Sequence, residues 1–402
     1  MLRVVDLWHR LAADDADALR SAAANADPGE VSAVARLRKE WPADLVRIAI
    51  DLARAQRALR RKWPDRAERL LADPEGAEMA SSELTARHKA ARFLSAAHEG
   101  PVLDLCSGIG ADTIALAESA PDRCEAIELD EARAFMTKRN AGVRCAVQDA
   151  RKALVAGALL HLDPQRRTGA GARTRWRFDE HEPGPDTIAR VAHEALGCAV
   201  KLGPGLDRED PVFRSCLPDC EIEILSEHGS LTQAVAWTGL LRSTSGARAT
   251  LLSDSGTVTF VGEPEHWGTA PVQDAGIGPW LYEPDPSLER AGLLAAFCRE
   301  HTLATVHPGL GVLHGEPGLE SPWLTSFEVL ESLPWQPKRV RAALAAQGAG
   351  IVEVKTRGKA IDPDAEQKRL RGDGPHTLTV FVLRLGDRRE AFITRRTASA
   401  RT

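Results

Sequence analysis

The chain has 402 residues, 43% apolar and 27% charged. This exceeds what one hydrophobic core usually serves, so two or three domains are expected and a peptide-sized module is excluded. Its formal charge of −5 excludes a blanket attraction for polyanions, although residues 351–402 hold twelve Lys or Arg against seven Asp or Glu, a basic C-terminal end. The longest apolar runs, such as 154–162, fall far short of the ~20 residues a bilayer-crossing helix needs, and the seven cysteines form no CxxC pair, so a cytoplasmic location without membrane attachment is expected.

Residues 1–95 read as a helical N-terminal domain. Apolar residues recur at spacings of three and four in Val31, Val34, Ala35 and Leu37, and again in Leu45, Ile48, Ala49 and Leu52. Pro42, Pro64 and Pro74 divide the run, because proline offers no N–H inside a helix. From Gly100 the texture changes to short apolar strands at 102–105, 126–129, 144–147, 158–162 and 198–202, separated by helical stretches. Such alternation predicts an α/β domain over 96–262, a doubly wound parallel sheet with helices on both faces. Further strands are expected near 234–237 and 249–252.

The Pro/Gly-rich stretch 262–286 reads as a linker, followed by a helix over 288–301, a loop over 308–322 and a strand or short helix over 327–333. Then come a helix over 337–347, a strand over 351–355, a charged helix over 363–371 and a β-hairpin. The hairpin arms are 377–385 and 390–394, turning at Gly386-Asp387. This C-terminal region is a small α+β unit.

The strongest chemical signal is Asp104-Leu105-Cys106-Ser107-Gly108-Ile109-Gly110-Ala111-Asp112-Thr113, between the first strand and an apolar helix. Gly108 and Gly110 let the backbone turn tightly against a ligand, and the helix N-terminus beyond favours negative charge. A dinucleotide fingerprint wants a third glycine where Thr113 stands. Asp104, at a strand end, would repel a pyrophosphate, whereas it suits the methionyl ammonium of S-adenosylmethionine. Glu128, twenty residues after Gly108, ends the second strand and is placed to accept the ribose hydroxyls. Asp149, with Ala150, follows the third strand on the adenine side. Cys106 and Ser107 belong to the same cofactor loop, Cys106 as a small packing residue rather than a nucleophile. Asp112 is read as capping the helix, with a secondary role near the methionine end.

The fourth strand ends in Asp163-Pro164-Gln165-Arg166-Arg167. An Asp-Pro pair leaving a strand can aim a carboxylate and a backbone carbonyl at one amine, so that its lone pair faces the methyl in line, and no metal is required. Asp163, Pro164 and Arg166 are therefore the candidate catalytic residues. Arg166, Arg167, Arg173, Arg175 and Arg177 occur with no acid between Asp163 and Asp179, and Trp176 among them offers a base-stacking face. Lys355, Arg357 and Lys359 alternate, so in a strand they would share one face and could meet a phosphate backbone, with Lys368, Arg369 and Arg371 nearby.

The segment Asp104 to Thr113 followed by Asp163-Pro164-Gln165-Arg166-Arg167 resembles the bacterial class I S-adenosylmethionine-dependent methyltransferases with a THUMP-like C-terminal domain, related at the glycine loop to trimethylguanosine synthase. The stretches 84–93, 282–286, 351–359 and 370–372 share the likeness. The resemblance implies a Rossmann-like catalytic domain, a ferredoxin-like segment over 280–335 and a THUMP-like module over 336–402 of a kind associated with RNA binding. It also implies S-adenosylmethionine held by Asp104, Gly108, Gly110, Glu128 and Asp149, with Asp163-Pro164 meeting the acceptor. Trimethylguanosine synthase carries Pro-Pro-Trp at the acceptor motif, where this chain has Gln165-Arg166, a departure that weakens base stacking there. The reading is methyl transfer to an amine of RNA. The alternatives are a small-molecule or protein substrate, or an RNA-binding protein with a weakly active methyltransferase fold.

Overall fold

The computed structural model describes residues 3–26, 31–96, 98–166, 177–266, 269–272, 277–316 and 318–397. The chain divides into two compact units, one of residues 1–222 with 233–245 and the other of 223–232 with 246–402. The boundary expected near residue 95 therefore falls inside the first unit, and the one expected near 262 inside the second. Among the described residues no helix is long and apolar enough to cross a membrane.

The first unit opens with six helices: α1 (Val4–Leu11), α2 (Asp17–Asn25), α3 (Val31–Glu40), α4 (Ala43–Leu59), α5 (Pro74–Met79) and α6 (Glu83–Ser95). Prolines act at their starts, as expected. Pro42 is the N-cap of α4, and Pro74 sits in the first turn of α5, where Asp73 accepts the Gly76 amide. Helix α4 buries Leu45, Val46, Ile48, Ala49, Leu52 and Ala53 on one face, the amphipathic pattern that anchors it.

The sheet of this unit follows: β1 (Val102–Leu105), α7 (Ala111–Ser119), β2 (Cys124–Glu128), α8 (Glu131–Ala141), β3 (Arg144–Val147), β4 (Leu159–Leu162), the short pair β5 (Gln165–Arg166) and β6 (His181–Glu182), α9 (Pro185–Glu194) and β7 (Gly197–Leu202). Strands β3, β2, β1, β4 and β7 lie side by side and parallel. Residues 234–237 then pair antiparallel with β7. The chain winds outward from β1 in one direction and from β4 in the other, so the carboxyl ends of these neighbours form a switch point, where open α/β sheets bind ligands. Burial on both faces explains the near-continuous apolar run of β4, all four residues buried.

After α10 (Pro211–Cys216) come β8 (Glu221–Glu227) and β9 (Ser230–Trp237), the strand that holds residues 234–237, and the second unit continues with β10 (Ala247–Ser253) and β11 (Gly256–Gly262). The stretch expected as a linker holds a strand, β12 (Trp280–Pro284). It pairs with β14 (Leu313–Gly315) and β15 (Leu324–Pro334), long-range partners that local composition does not reveal. The helix expected over 288–301 is two, α11 (Pro286–Arg290) and α12 (Leu294–Glu300), parted at Gly292 with φ +74°.

The remaining elements are β13 (Ala304–Thr305), α13 (Pro337–Ala346), β16 (Ala349–Arg357), α14 (Pro363–Leu370), β17 (His376–Leu385) and β18 (Arg388–Arg396). One seven-stranded sheet runs β13-β14-β12-β15-β18-β17-β16, so segments 280–335 and 336–402 share a sheet. One face packs Val340 and Leu344 of α13 and Leu370 of α14 on Val352, Val380, Val382, Ala391 and Ile393. The other packs Phe327, Phe381, Leu383 and Phe392, the two-residue alternation of buried strands.

Candidate functional site

An open cleft of about 970 Å³ lies in the first unit, lined among others by Gly76, Met79, Ser81, Cys106, Ser107, Gly108, Asp112, Glu128, Asp149, Ala150, Asp163, Gln165 and Lys201. It sits at the carboxyl ends of the parallel strands. The glycine loop forms one wall and holds three residues at alternate positions in the left-handed region, Cys106 at φ +60°, Gly108 at +59° and, behind the wall, Gly110 at +84°. Gly108 is open, so glycine is needed there for its dihedral alone. At Gly110, the N-cap of α7, a Cβ would lie 3.0 Å from the Thr137 Cα, so this position needs glycine for both dihedral and space.

The expected cofactor residues divide into those that line the cleft and those behind it. Cys106, Ser107, Gly108, Glu128, Asp149 and Ala150 line it. Glu128 accepts the Gly108 amide at 2.8 Å and the Asp130 amide at 3.0 Å. Burial raises its pKa above the usual glutamate value against the opposing pull of these amides. Asp149 caps the turn at Ala150–Lys152 and pairs with Arg151 at 2.7 Å, and its bond to Arg151 lowers its pKa. The Cys106 thiol is pushed well up by burial and by Glu128, which removes thiolate character and agrees with a packing role.

Asp104 does not line the cleft. It is 1% exposed, accepts the Thr113 hydroxyl with one carboxylate oxygen and faces His161 Nδ1 at 2.7 Å with the other. The cause is strand alternation: Asp104 points with Val102 into the packed face, and a His on the neighbouring β4, paired with it in register, meets it there. The sequence suggested that this carboxylate bonds a methionyl ammonium directly or through water; in the structure both its oxygens are engaged by Thr113 and His161 behind the lining. Gly110 also lies behind the lining, supporting the loop from below.

Behind Asp104 a polar cluster fills the core beside the cleft. The Lys89 ammonium pairs with Asp112 Oδ1 at 2.7 Å and lies 3.2 Å from His161 Nε2. With Nδ1 donating to Asp104, Nε2 is an acceptor for Lys89, so one tautomer satisfies both contacts. Ser81 donates to Asp112 Oδ2 at 2.8 Å and accepts from Lys89 and from the Gln233 amide, each at 3.3 Å. Burial pushes the Asp112 carboxyl up, yet the Lys89 and Lys201 ammonium groups leave it well below the usual carboxylate range. Burial lowers the Lys89 pKa, and Asp112 offsets only part of that. Asp112 therefore faces the cleft as a carboxylate in the first turn of α7 and does not cap the helix as expected, since Gly110 is the N-cap and no side chain bonds it.

On the acceptor side, Asp163 Oδ2 accepts from the Lys201 ammonium at 2.7 Å, and the same ammonium donates to the Met79 carbonyl at 3.2 Å. Burial works against the Lys201 charge, but Asp163 and Asp112 outweigh it and raise its pKa. Lys62 holds the Met79 segment by donating to the carbonyls of Ala77 at 3.0 Å and Ala80 at 2.7 Å. Pro164 is buried beneath, outside the lining. The backbone of Arg166 pairs with His181 in the short β5–β6 ladder. Its side chain, and Arg167, Arg173, Arg175 and Trp176, lie outside the described residues; Arg177 pairs with Asp179 at 2.7 Å.

Lys89 and Lys201 escaped the sequence reading. Each carries a signal that could have found it. Lys201 is a lone cation in the otherwise apolar strand Gly197–Leu202, and Lys89 falls at helical spacing with Thr85, Ala86, Ala90 and Phe93 on the buried face of α6. In the second unit, Lys355 and Arg357 share a face as expected, but both bond Glu283, each at 2.7 Å, and Lys355 also pairs with Glu353 at 3.4 Å, so two acids offset their charge.

Five carboxylates, Asp112, Glu128, Asp149, Asp163 and Glu182, line the cleft against three cations, Arg133, Arg151 and Lys201; Asp149 pairs with Arg151, Asp163 with Lys201 and Asp112 with Lys89 behind the lining, while Arg133 pairs with Asp73. This donor set suits a cationic ligand with hydroxyls and disfavours a pyrophosphate.

Residues 324–396 match the THUMP domain-like family. Uncharacterised S-adenosylmethionine-dependent methyltransferases of Mycobacterium tuberculosis, strains CDC 1551 and H37Rv, are 31% identical over 317 residues, covering 78% of this chain and 84% of theirs. A solved structure from Porphyromonas gingivalis W83 with a provisional methyltransferase designation superposes with a TM-score of 0.71 at 19% identity, covering 95% of this chain and 98% of that one.

Proposed function

We propose, from the premise that this chain belongs to the S-adenosylmethionine-dependent methyltransferases, that it transfers a methyl group to an amine nitrogen of RNA. Its fold is the class I, Rossmann-like fold with a THUMP-like C-terminal region, and its cofactor is S-adenosylmethionine, which supplies an electrophilic sulfonium methyl. The observation that carries the reading is the placement of Glu128, Asp149 and Asp163 along one cleft at the ends of β2, β3 and β4.

In this reading Glu128 accepts the ribose hydroxyls, since each of its oxygens keeps a lone pair beyond the amide it already accepts. Asp149 lies on the adenine side. Asp112, which lines the cleft where Asp104 does not, is the acid placed near the methionyl end. Asp163 accepts a hydrogen of the acceptor amine through Oδ1 while Lys201 holds Oδ2, so that the nitrogen lone pair is presented in line and orientation supplies most of the rate. The THUMP domain-like match over 324–396 supports RNA as the substrate class. Pairing of Lys355 and Arg357 with Glu283 and Glu353 favours a second reading, a small-molecule or protein acceptor.

The test is transfer of tritiated methyl from S-adenosylmethionine to total RNA from cells lacking the protein, with mass spectrometry of the nucleosides. Incorporation into RNA that Asp163→Asn abolishes, while that variant still binds S-adenosylmethionine, is expected. Label in protein or small-molecule fractions with none in RNA would overturn the RNA reading.

A further inference from the structure

We infer that RNA docks on the helical face of the C-terminal sheet, against α13 and the β17–β18 hairpin, rather than on the β16 cations; the inference rests on the RNA reading above. Helix α13, Pro-Lys-Arg-Val-Arg-Ala-Ala-Leu-Ala-Ala, contains no acid. Val340 and Leu344 turn inward, which leaves Lys338, Arg339 and Arg341 exposed beside Ala342, Ala345 and Ala346. Small residues following the cations along the helix leave room for a sugar-phosphate chain to approach it closely.

The hairpin adds charge on the same side. Val380 pairs with Ile393, Val382 with Ala391 and Arg384 with Arg389. The two-residue period therefore places Arg384 and Arg389 on the face that α13 and α14 cover, past the last apolar pair. They stand directly opposite one another, a like-charge arrangement that destabilises a ladder. Their only described partners are carbonyls: Arg384 donates to Gly358 at 3.1 Å and Lys359 at 3.3 Å, and Arg389 to Ala360 at 3.3 Å. Among the described residues no carboxylate forms an ion pair with Lys338, Arg339, Arg341, Arg384 or Arg389. The Trp335 amide donates to the Arg389 carbonyl at 2.9 Å, which brings the hairpin beside the start of α13. Five cations with no carboxylate ion pair among the described residues, two held face to face, fit the spaced negative charge of a nucleic acid backbone.

The experiment is filter binding of unfractionated tRNA by the full chain at about 50 to 200 mM salt. Lys338→Glu/Arg339→Glu/Arg341→Glu is expected to bind at least about tenfold more weakly with a flatter salt response, while Arg38→Glu/Lys39→Glu/Arg54→Glu binds as wild type does. If the reversed helix misfolds, as circular dichroism would show, Lys338→Gln/Arg341→Gln removes charge without adding any and is expected to weaken binding several-fold. Wild-type binding that these α13 variants leave unchanged overturns the surface and spares the RNA reading. Wild type that neither binds nor methylates RNA overturns both.

Discussion

The Lys201 ammonium and the Asp163 carboxylate meet at 2.7 Å where β7 and β4 end side by side. Register makes the contact: Leu162 pairs with Val200, so the next residue of each strand falls together at the cleft. Lys201→Met removes the group that fixes Asp163 Oδ2 and leaves the carboxylate to swing. The turnover rate is expected to fall by about one to two orders of magnitude, as small misorientations do, with the S-adenosylmethionine dissociation constant within a few-fold of wild type. Single-turnover kinetics beside calorimetry check this. An equal loss in both quantities would make Lys201 a cofactor ligand instead.

Glu128→Gln tests the opposite end. The amide side chain keeps the shape but loses charge and one acceptor, so S-adenosylmethionine binding is expected to weaken by about 1.5–3 kcal/mol, the range for hydrogen bonds to charged groups. Calorimetry reads this directly. Turnover at saturating cofactor should change little, since Glu128 ends β2, with β1 standing between it and β4, which leads into Asp163.

Local sequence carried the parts of this site that depend on neighbours in the chain. The strand, the glycines and the helix between Asp104 and Thr113 are read from spacing, as are the acids that end β2 and follow β3. Direction was harder. Whether Asp104 faces the cleft or the packed side depends on His161, 57 residues away, and no window around Asp104 contains that partner. Lys89, Asp112 and Lys201 come from three separate elements whose meeting is a tertiary event. Residues 280–284 look like linker because their apolar partners, Phe327 and its neighbours, lie far along the chain.

Gly110→Ala probes the loop from below. The added Cβ would meet the Thr137 backbone at 3.0 Å in a residue held at φ +84°, so contact and dihedral both oppose it. A loss of about 1–3 kcal/mol in unfolding free energy is expected from strain of this kind, read from the midpoint of urea denaturation. Gly108→Ala, where the Cβ meets open space, carries only the dihedral cost and should lose less. A larger loss at Gly108 would show that the loop packs differently.

The buried pair Lys89–Asp112 makes the most decisive stability test. Lys89→Met leaves the Asp112 carboxylate without its closest countercharge inside the fold, and removing one partner of a buried pair costs about 3–5 kcal/mol. Lys89→Met/Asp112→Asn removes both charges and is expected to be less destabilising than the sum of the single variants. The pH response follows from the same pair. The Asp112 pKa is depressed in the folded protein relative to about 3.9 in an unfolded chain. Its contribution is therefore fully present above the unfolded value and is lost as pH falls from there toward the folded one. Asp112→Asn should flatten the acid limb of the stability profile below about pH 4, measured by urea midpoints across pH. An acid limb as steep as wild type in that variant would show that Asp112 is not held as a carboxylate.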